Sequence, residues 1–305
     1  MFVIIVNEEE DFLEGEFMGL FNLGKKNKSE VEQKEKDKLI KEIDNRKGKI
    51  QVKEKSDKTV YAITLQQQSS KASLNVWRPT NDSEESYTLA EERRKKNNAF
   101  IISQGIVCFE KLPLVEASCD VKIKSIEEIC VRAIASCLAI AVVTDMRNSP
   151  YEDSIKFFKP IIDSYGAYEF MNEKEKRVID GTFSKQDLID IDWEYEALWS
   201  LLYALSLVDD IRDGGKLCDC NYIISLFRDW PTVDELKEKC KLRGIEEILD
   251  MLDLYYRYHW ACEDKRINPN TEIKNLNSSI VVERRRGLEW LISEENNWYN
   301  ISLDT

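Results

Sequence analysis

One histidine, six prolines and eleven glycines serve a chain of 305 residues, too few for most familiar catalytic patterns. His259 stands alone, so paired-histidine metal motifs are excluded, and zinc is disfavoured because Cys218-Asp219-Cys220 has no second cysteine pair nearby. There is no phosphate-cradling glycine loop, no Gly-x-Ser-x-Gly elbow and no cysteine-histidine-asparagine set, which sets aside the common hydrolase, kinase and dinucleotide chemistries. No metal and no cofactor is expected.

Long apolar runs are also missing. The longest uncharged apolar stretches, Ala133 to Val143 and Leu198 to Val208, are eleven residues each, whereas a bilayer-spanning helix needs about 20. Met1 to Val6 is followed by Glu8-Glu9-Glu10-Asp11 and lacks the basic start of a secretory signal. A cytoplasmic protein without membrane contact is expected, and its eight cysteines are read as reduced thiols because no paired framework is visible.

Charge is unevenly spread along the chain. Net charge is -13, yet Lys25 to Lys58 holds 13 basic and 8 acidic residues, so residues 59–305 carry -12. An acidic body of this kind disfavours nucleic acid and anionic membranes, both of which recruit positive surfaces. The basic stretch is read as a solvated helix or linker, part of a charged, mobile segment over residues 1–48. Within it Met18 reads as a second translation start, with Leu13 to Phe17 as a ribosome-binding tract read as protein.

What the chain does have is 43% hydrophobic and 10% aromatic residues, enough for a packed core. Residues 49–87 show short β-branched or aromatic runs, 49–52, 60–65 and 72–77, that predict a small strand unit closed by a turn at Arg78 to Ser83. From residue 88 the signals are helical. Thr88 with Glu91, and Ser125 with Glu128, form capping-box patterns before apolar runs. A helix over 89–104 closed by Gly105, a strand at 121–123, and a core helix after Ser125 are expected. Further helices are read over 151–165, 173–180, from Asp190 or Asp192 to about 210, and over 222–227, 232–242, 245 to about 265 and 279–293. The predicted class is a mainly α, multi-helix, orthogonal bundle-like body over 88–305 with a small β-containing segment before it, α+β overall.

The last third carries aromatic-rich helical segments with few polar residues: Trp193 to Leu207, Ile248 through Tyr255-Tyr256-Arg257-Tyr258-His259-Trp260, and Glu283-Arg284 with Leu288, Trp290 and Leu291, then the ending Trp298 to Thr305. With Arg93 to Asn97, Leu112-Pro113 and Ser125 to Ile129 upstream, their order resembles the bacterial family called domain of unknown function 4272, over residues from about 90 to 305. The resemblance implies a domain boundary and no particular activity.

Charge buried among apolar side chains is costly unless paired, so the ionisable residues of these segments are either a structural ion network or a site. His259, the default general acid or base, lies on the apolar face of its helix and is read first as a core histidine satisfied by backbone or a tyrosine. Asp253 and Arg257 form an i, i+4 pair read as tying this helix to the one bearing Glu283 and Arg284. Glu194 and Glu196 are read as first-turn carboxylates complementing helix amides; Glu194, Asp253 and Glu283, should they converge, have the chemistry of an oxygen-liganded cation site. One of Arg284, Arg285 and Arg286 is taken as a buried partner of Asp253 or Glu196, the others as solvated. The catalytic candidates are therefore His259, Glu194, Asp253, Arg257 and Glu283, and the binding candidates Arg284, Arg285, Trp193 and Tyr256. The favoured function is a protein-interaction module, one that binds and neutralises a partner; the other is an enzyme or ligand-binding protein using the catalytic candidates in a helical pocket.

Overall fold

The computed structural model describes residues 81–227 and 232–305, all within one compact unit. The expected strands at 49–52, 60–65 and 72–77, the basic stretch and Met18 lie outside the described residues. Among the described residues the chain is helical, with no strand.

Helix α1 (Asn81–Ser103) is already running where Thr88 was expected to cap it. Thr88 Oγ1 instead donates back to Glu84 O at 2.9 Å inside the helix, and Ser83 to Ser86, assigned above to the β-containing segment, are helical. Gly105 closes α1 at φ 72°, a left-handed position that glycine adopts without Cβ strain. Residues 121–123, expected as a strand, join no ladder; beside them Lys124 N donates to Leu291 O at 2.8 Å.

Local capping accounts for most of the other helix starts. Ser125 and Glu128 form the expected box before α2 (Ile126–Met146), and Pro150 precedes α3 (Tyr151–Tyr165), which stops at left-handed Gly166. A 3-10 turn (Ala167–Phe170) leads to α4 (Glu173–Ile179), boxed by Asn172 and Glu175. Helix α5 (Lys185–Ala204) begins at Ser184, about two turns before the expected Asp190 or Asp192, because Ser184 and Asp187 form a reciprocal capping box there. It ends at Leu205, ahead of the expected Asp210. The remaining helices are α6 (Cys220–Phe227), α7 (Val233–Lys239, boxed by Thr232 and Glu235), α8 (Ile245–Ile267) and α9 (Ser278–Ile292, capped by Asn277), followed by a 3-10 turn, Trp298–Asn300.

The helices pack in succession: α1 on α8, α8 on α9, α9 on α5, α5 on α2, and α2 on α3 and α7. The α5–α9 contact is the most extensive. It is so close that a Cβ at Gly287 would lie 2.5 Å from Ala197 O. Ile191, Leu198, Leu201 and Leu202 of α5 are fully buried, and each such side chain contributes about 1.5–3 kcal/mol relative to exposure. Helix α2 is 21 residues long, and by length and composition alone would reach across a membrane, but 78% of its apolar window is buried in the body. The helices packed on it account for its apolar character.

Candidate functional site

The ionisable residues of the aromatic helices fall into five buried or half-buried groups, each with its own ion pair or hydrogen bond. The first centres on Arg132, the one basic residue of the apolar α2. Its Nη2 lies 2.7 Å from Glu175 Oε1 and 3.8 Å from Glu194 Oε2, and its Nη1 donates to Phe170 O at 2.8 Å. Glu194 also accepts from Asn172 Nδ2 at 2.8 Å and Ser136 Oγ at 3.3 Å. Two carboxyl groups with no exposed surface thus share one guanidinium. Burial and the adjacent Glu175 push the Glu194 carboxyl well above the usual carboxylate range, against the opposing pull of Arg132 and Asn172.

The second group joins α5, α8 and α9. Arg284 Nε donates to Glu196 Oε2 at 2.7 Å. Its Nη1 reaches Ile211 O, Asp213 O and Tyr255 Oη at 3.1, 2.8 and 3.0 Å, and its Nη2 reaches Lys216 O at 2.7 Å. Glu196 Oε1 accepts the Cys218 N–H at 2.8 Å. One guanidinium on α9 therefore holds three carbonyls of the 205–219 connection, and Glu196 ties Cys218 to α5. Burial pushes the Tyr255 phenol up to about 12, with Arg284 opposing.

The third group is Asp253 with Arg257, bonded through Nε and Nη2 at 2.9 and 2.7 Å. Asn97 Nδ2 donates to the same Asp253 carboxylate at 2.9 Å. The expected i, i+4 pair forms, but it ties α8 to α1 rather than to α9. Arg257 Nη1 is buried without a hydrogen-bond partner.

In the fourth, Arg285 Nη1 lies 2.7 Å from His259 Nδ1. A guanidinium only donates, so Nδ1 accepts and the ring proton sits on Nε2. Burial, then the Arg285 charge, lowers the imidazole to about 4. A neutral ring whose Nδ1 is already occupied is a poor proton acceptor near pH 7. The expectation of a backbone or tyrosine partner is corrected: the partner is an arginine. Arg285 also grips Leu303 O at 3.0 Å and Asp304 O at 3.2 Å, holding the last residues against α9, and bonds Glu289 Oε1 at 3.2 Å.

Glu283 forms the fifth group, a half-buried pair with Arg286 at 3.1 Å; burial raises its carboxyl, with Arg286 opposing. The expectation of one buried arginine holds for Arg284 with Glu196, but Arg285 is buried as well and Arg286 half-buried. Successive residues point about 100° apart around a helix, and each arginine has found its own partner. Glu194 and Glu196 are mid-helix, since α5 starts at Lys185, so the first-turn reading of them is also corrected. Glu194, Asp253 and Glu283 do not converge, and among the described residues no group of three or more His, Cys, Asp or Glu is placed to hold a metal.

Aromatic rings cover the guanidinium faces: Trp298 over Arg132 at 4.0 Å, Tyr299 over Arg286 at 4.7 Å and Tyr256 over Arg285 at 4.8 Å. Trp193, a binding candidate, is half-buried on α5. Arg132, Asn172, Glu175, Asn97 and Glu289 were missed from sequence. A solitary arginine within the apolar run of α2 was the signal that pointed to the first of them.

The pattern that defines domain of unknown function 4272 matches residues 93–301. The chain belongs to that family. The DUF4272 match takes in the ion-pairing side chains of all five groups and stops just short of the Arg285-held carbonyls of Leu303 and Asp304. No curated protein and no solved structure matches the chain.

Proposed function

We propose that this DUF4272 protein is a cytoplasmic interaction module that binds, and thereby neutralises, a basic protein partner. The observation that carries this reading is the dispersal of His259, Glu194, Asp253, Arg257 and Glu283 into separate, internally paired groups. A catalytic or ligand-binding use of these five requires them at one open cavity; instead their charges are engaged in holding helices together. That leaves the net charge of -12 over residues 59–305 as the feature available to other molecules. Such a field steers association with positive surfaces and repels nucleic acid. Eight free thiols fit a reducing compartment.

The test is affinity capture from native lysate with the full chain as bait, followed by cross-linking and mass spectrometry. The reading expects a stoichiometric basic protein whose complex weakens as salt rises. Recovery of no stoichiometric partner, or of one whose binding ignores ionic strength, overturns it.

A further inference from the structure

Cys218 and Cys220 stand where the 205–219 connection enters α6, with their sulfurs 3.7 Å apart. The backbone enforces the approach: Cys220 N–H donates to Cys218 O at 3.1 Å, a three-residue turn of γ type around Asp219. Both ends of that turn are anchored. Cys218 N–H is held by Glu196 Oε1 at 2.8 Å, and Asp219 Oδ1 accepts from Tyr222 N at 2.9 Å. Upstream, Arg284 Nη2 holds Lys216 O at 2.7 Å. Cys218 is buried and Cys220 half-buried, so an outer thiol fronts an inner one.

We propose that Cys218 and Cys220 are a dithiol modification site, converted to an intrachain disulfide by exchange with a small-molecule disulfide. Bridge formation requires the sulfurs to close from 3.7 Å to about 2.05 Å, a movement within reach of side-chain rotation. Cys220 is the more exposed of the two, and burial, then the hydrogen bond with Cys220, raises the Cys218 thiol, which makes Cys220 the first nucleophile. The Cys220 thiol gives its proton to solvent, and the thiolate attacks one sulfur of the small disulfide. That S–S bond breaks, a small thiolate leaves, and a mixed disulfide stands on Cys220. Cys218 then attacks Cys220 Sγ, expelling the second small thiolate, and passes its proton to it. Two protein thiols are oxidised by two electrons, and one small disulfide is reduced to two thiols.

The experiment equilibrates the full chain in graded ratios of reduced to oxidised glutathione, quenches with acid, alkylates, and weighs the peptide that spans Cys218 and Cys220. The expected result is joint loss of both alkyl labels with loss of two hydrogens as the ratio becomes oxidising, reversed by dithiothreitol. Cys218→Ser is expected to stop at a glutathione adduct on Cys220. The proposal is overturned if the wild-type peptide keeps both labels at every ratio, if it halts at the Cys220 adduct, or if the oxidised product is a covalent dimer on a non-reducing gel.

Discussion

Arg284 and Glu196 meet at 2.7 Å with side chains 3% and 2% exposed, joining α9 to α5 across the most extensive helix contact among the described residues. An ion pair this deeply buried returns little net stability, because desolvation offsets the attraction, but removing one partner strands the other. Arg284→Met is therefore expected to cost about 3–5 kcal/mol. The Arg284→Met, Glu196→Gln double variant should recover part of that loss. Urea unfolding followed by circular dichroism measures both; a loss for the single variant no greater than the about 0–1 kcal/mol of a surface pair would contradict the arrangement.

The raised Glu194 carboxyl has a different signature. Its carboxyl is raised by burial and by Glu175, so the folded state keeps a proton that the unfolded chain releases above its ordinary pKa near 4.5. Stability from this group is present at low pH and declines as pH rises from there toward the folded value. Glu194→Gln mimics the protonated form: its carbonyl can accept from Asn172 and its amide can donate to Glu175. The variant should match wild type near pH 5 and exceed it increasingly toward pH 8. Parallel denaturation curves across that range decide the matter, and a constant gap between the two proteins would be the wrong outcome.

His259 runs the opposite way. Unfolded, its imidazole takes up a proton as pH falls through 6.5; folded, it does so only at about 4. The neutral ring's contribution is thus fully present above pH 6.5 and is lost as pH falls toward 4. Integrated over that interval it amounts to about 3 kcal/mol. Because this is the sole histidine, its ring carbons titrate alone in an NMR spectrum. Their midpoint should sit near 4, and His259→Gln should flatten the acid limb of stability. A midpoint near the ordinary 6.5 would mean that Arg285 does not face Nδ1.

The helical class and the course of α2, α3, α8 and α9 could be read from sequence because capping boxes and terminal prolines are local signals: Ser125 with Glu128, Pro150, and the run after Gly244 each act within one turn. The start of α5 was misplaced because Ser184, Asp190 and Asp192 are equally good caps by type, and the choice rests on which completes its bonds in three dimensions. The ion groups were legible only in part. That Asp253 pairs with Arg257 follows from helical spacing. That Glu194 belongs with Arg132 and Glu175, 62 and 19 residues away in sequence, depends on how α2, α4 and α5 pack, and no local pattern encodes that.

Gly287 offers a sharper check on the packing itself. At an exposed helix position, glycine to alanine stabilises by about 0.8–1 kcal/mol through backbone propensity. Here the added Cβ would fall 2.5 Å from Ala197 O and 3.0 Å from Ser200 Cβ. The first of these is backbone and cannot swing aside, so α5 and α9 must separate to admit a methyl group. That separation also stretches the Ser200 Oγ to Arg284 O hydrogen bond, now 3.0 Å, and the Arg284–Glu196 pair beside it. Overpacking of this kind costs about 1–3 kcal/mol, which reverses the sign expected from propensity. Thermal unfolding of Gly287→Ala reads that sign directly: a lowered midpoint supports the close α5–α9 approach, and a raised one would show that the two helices have room between them.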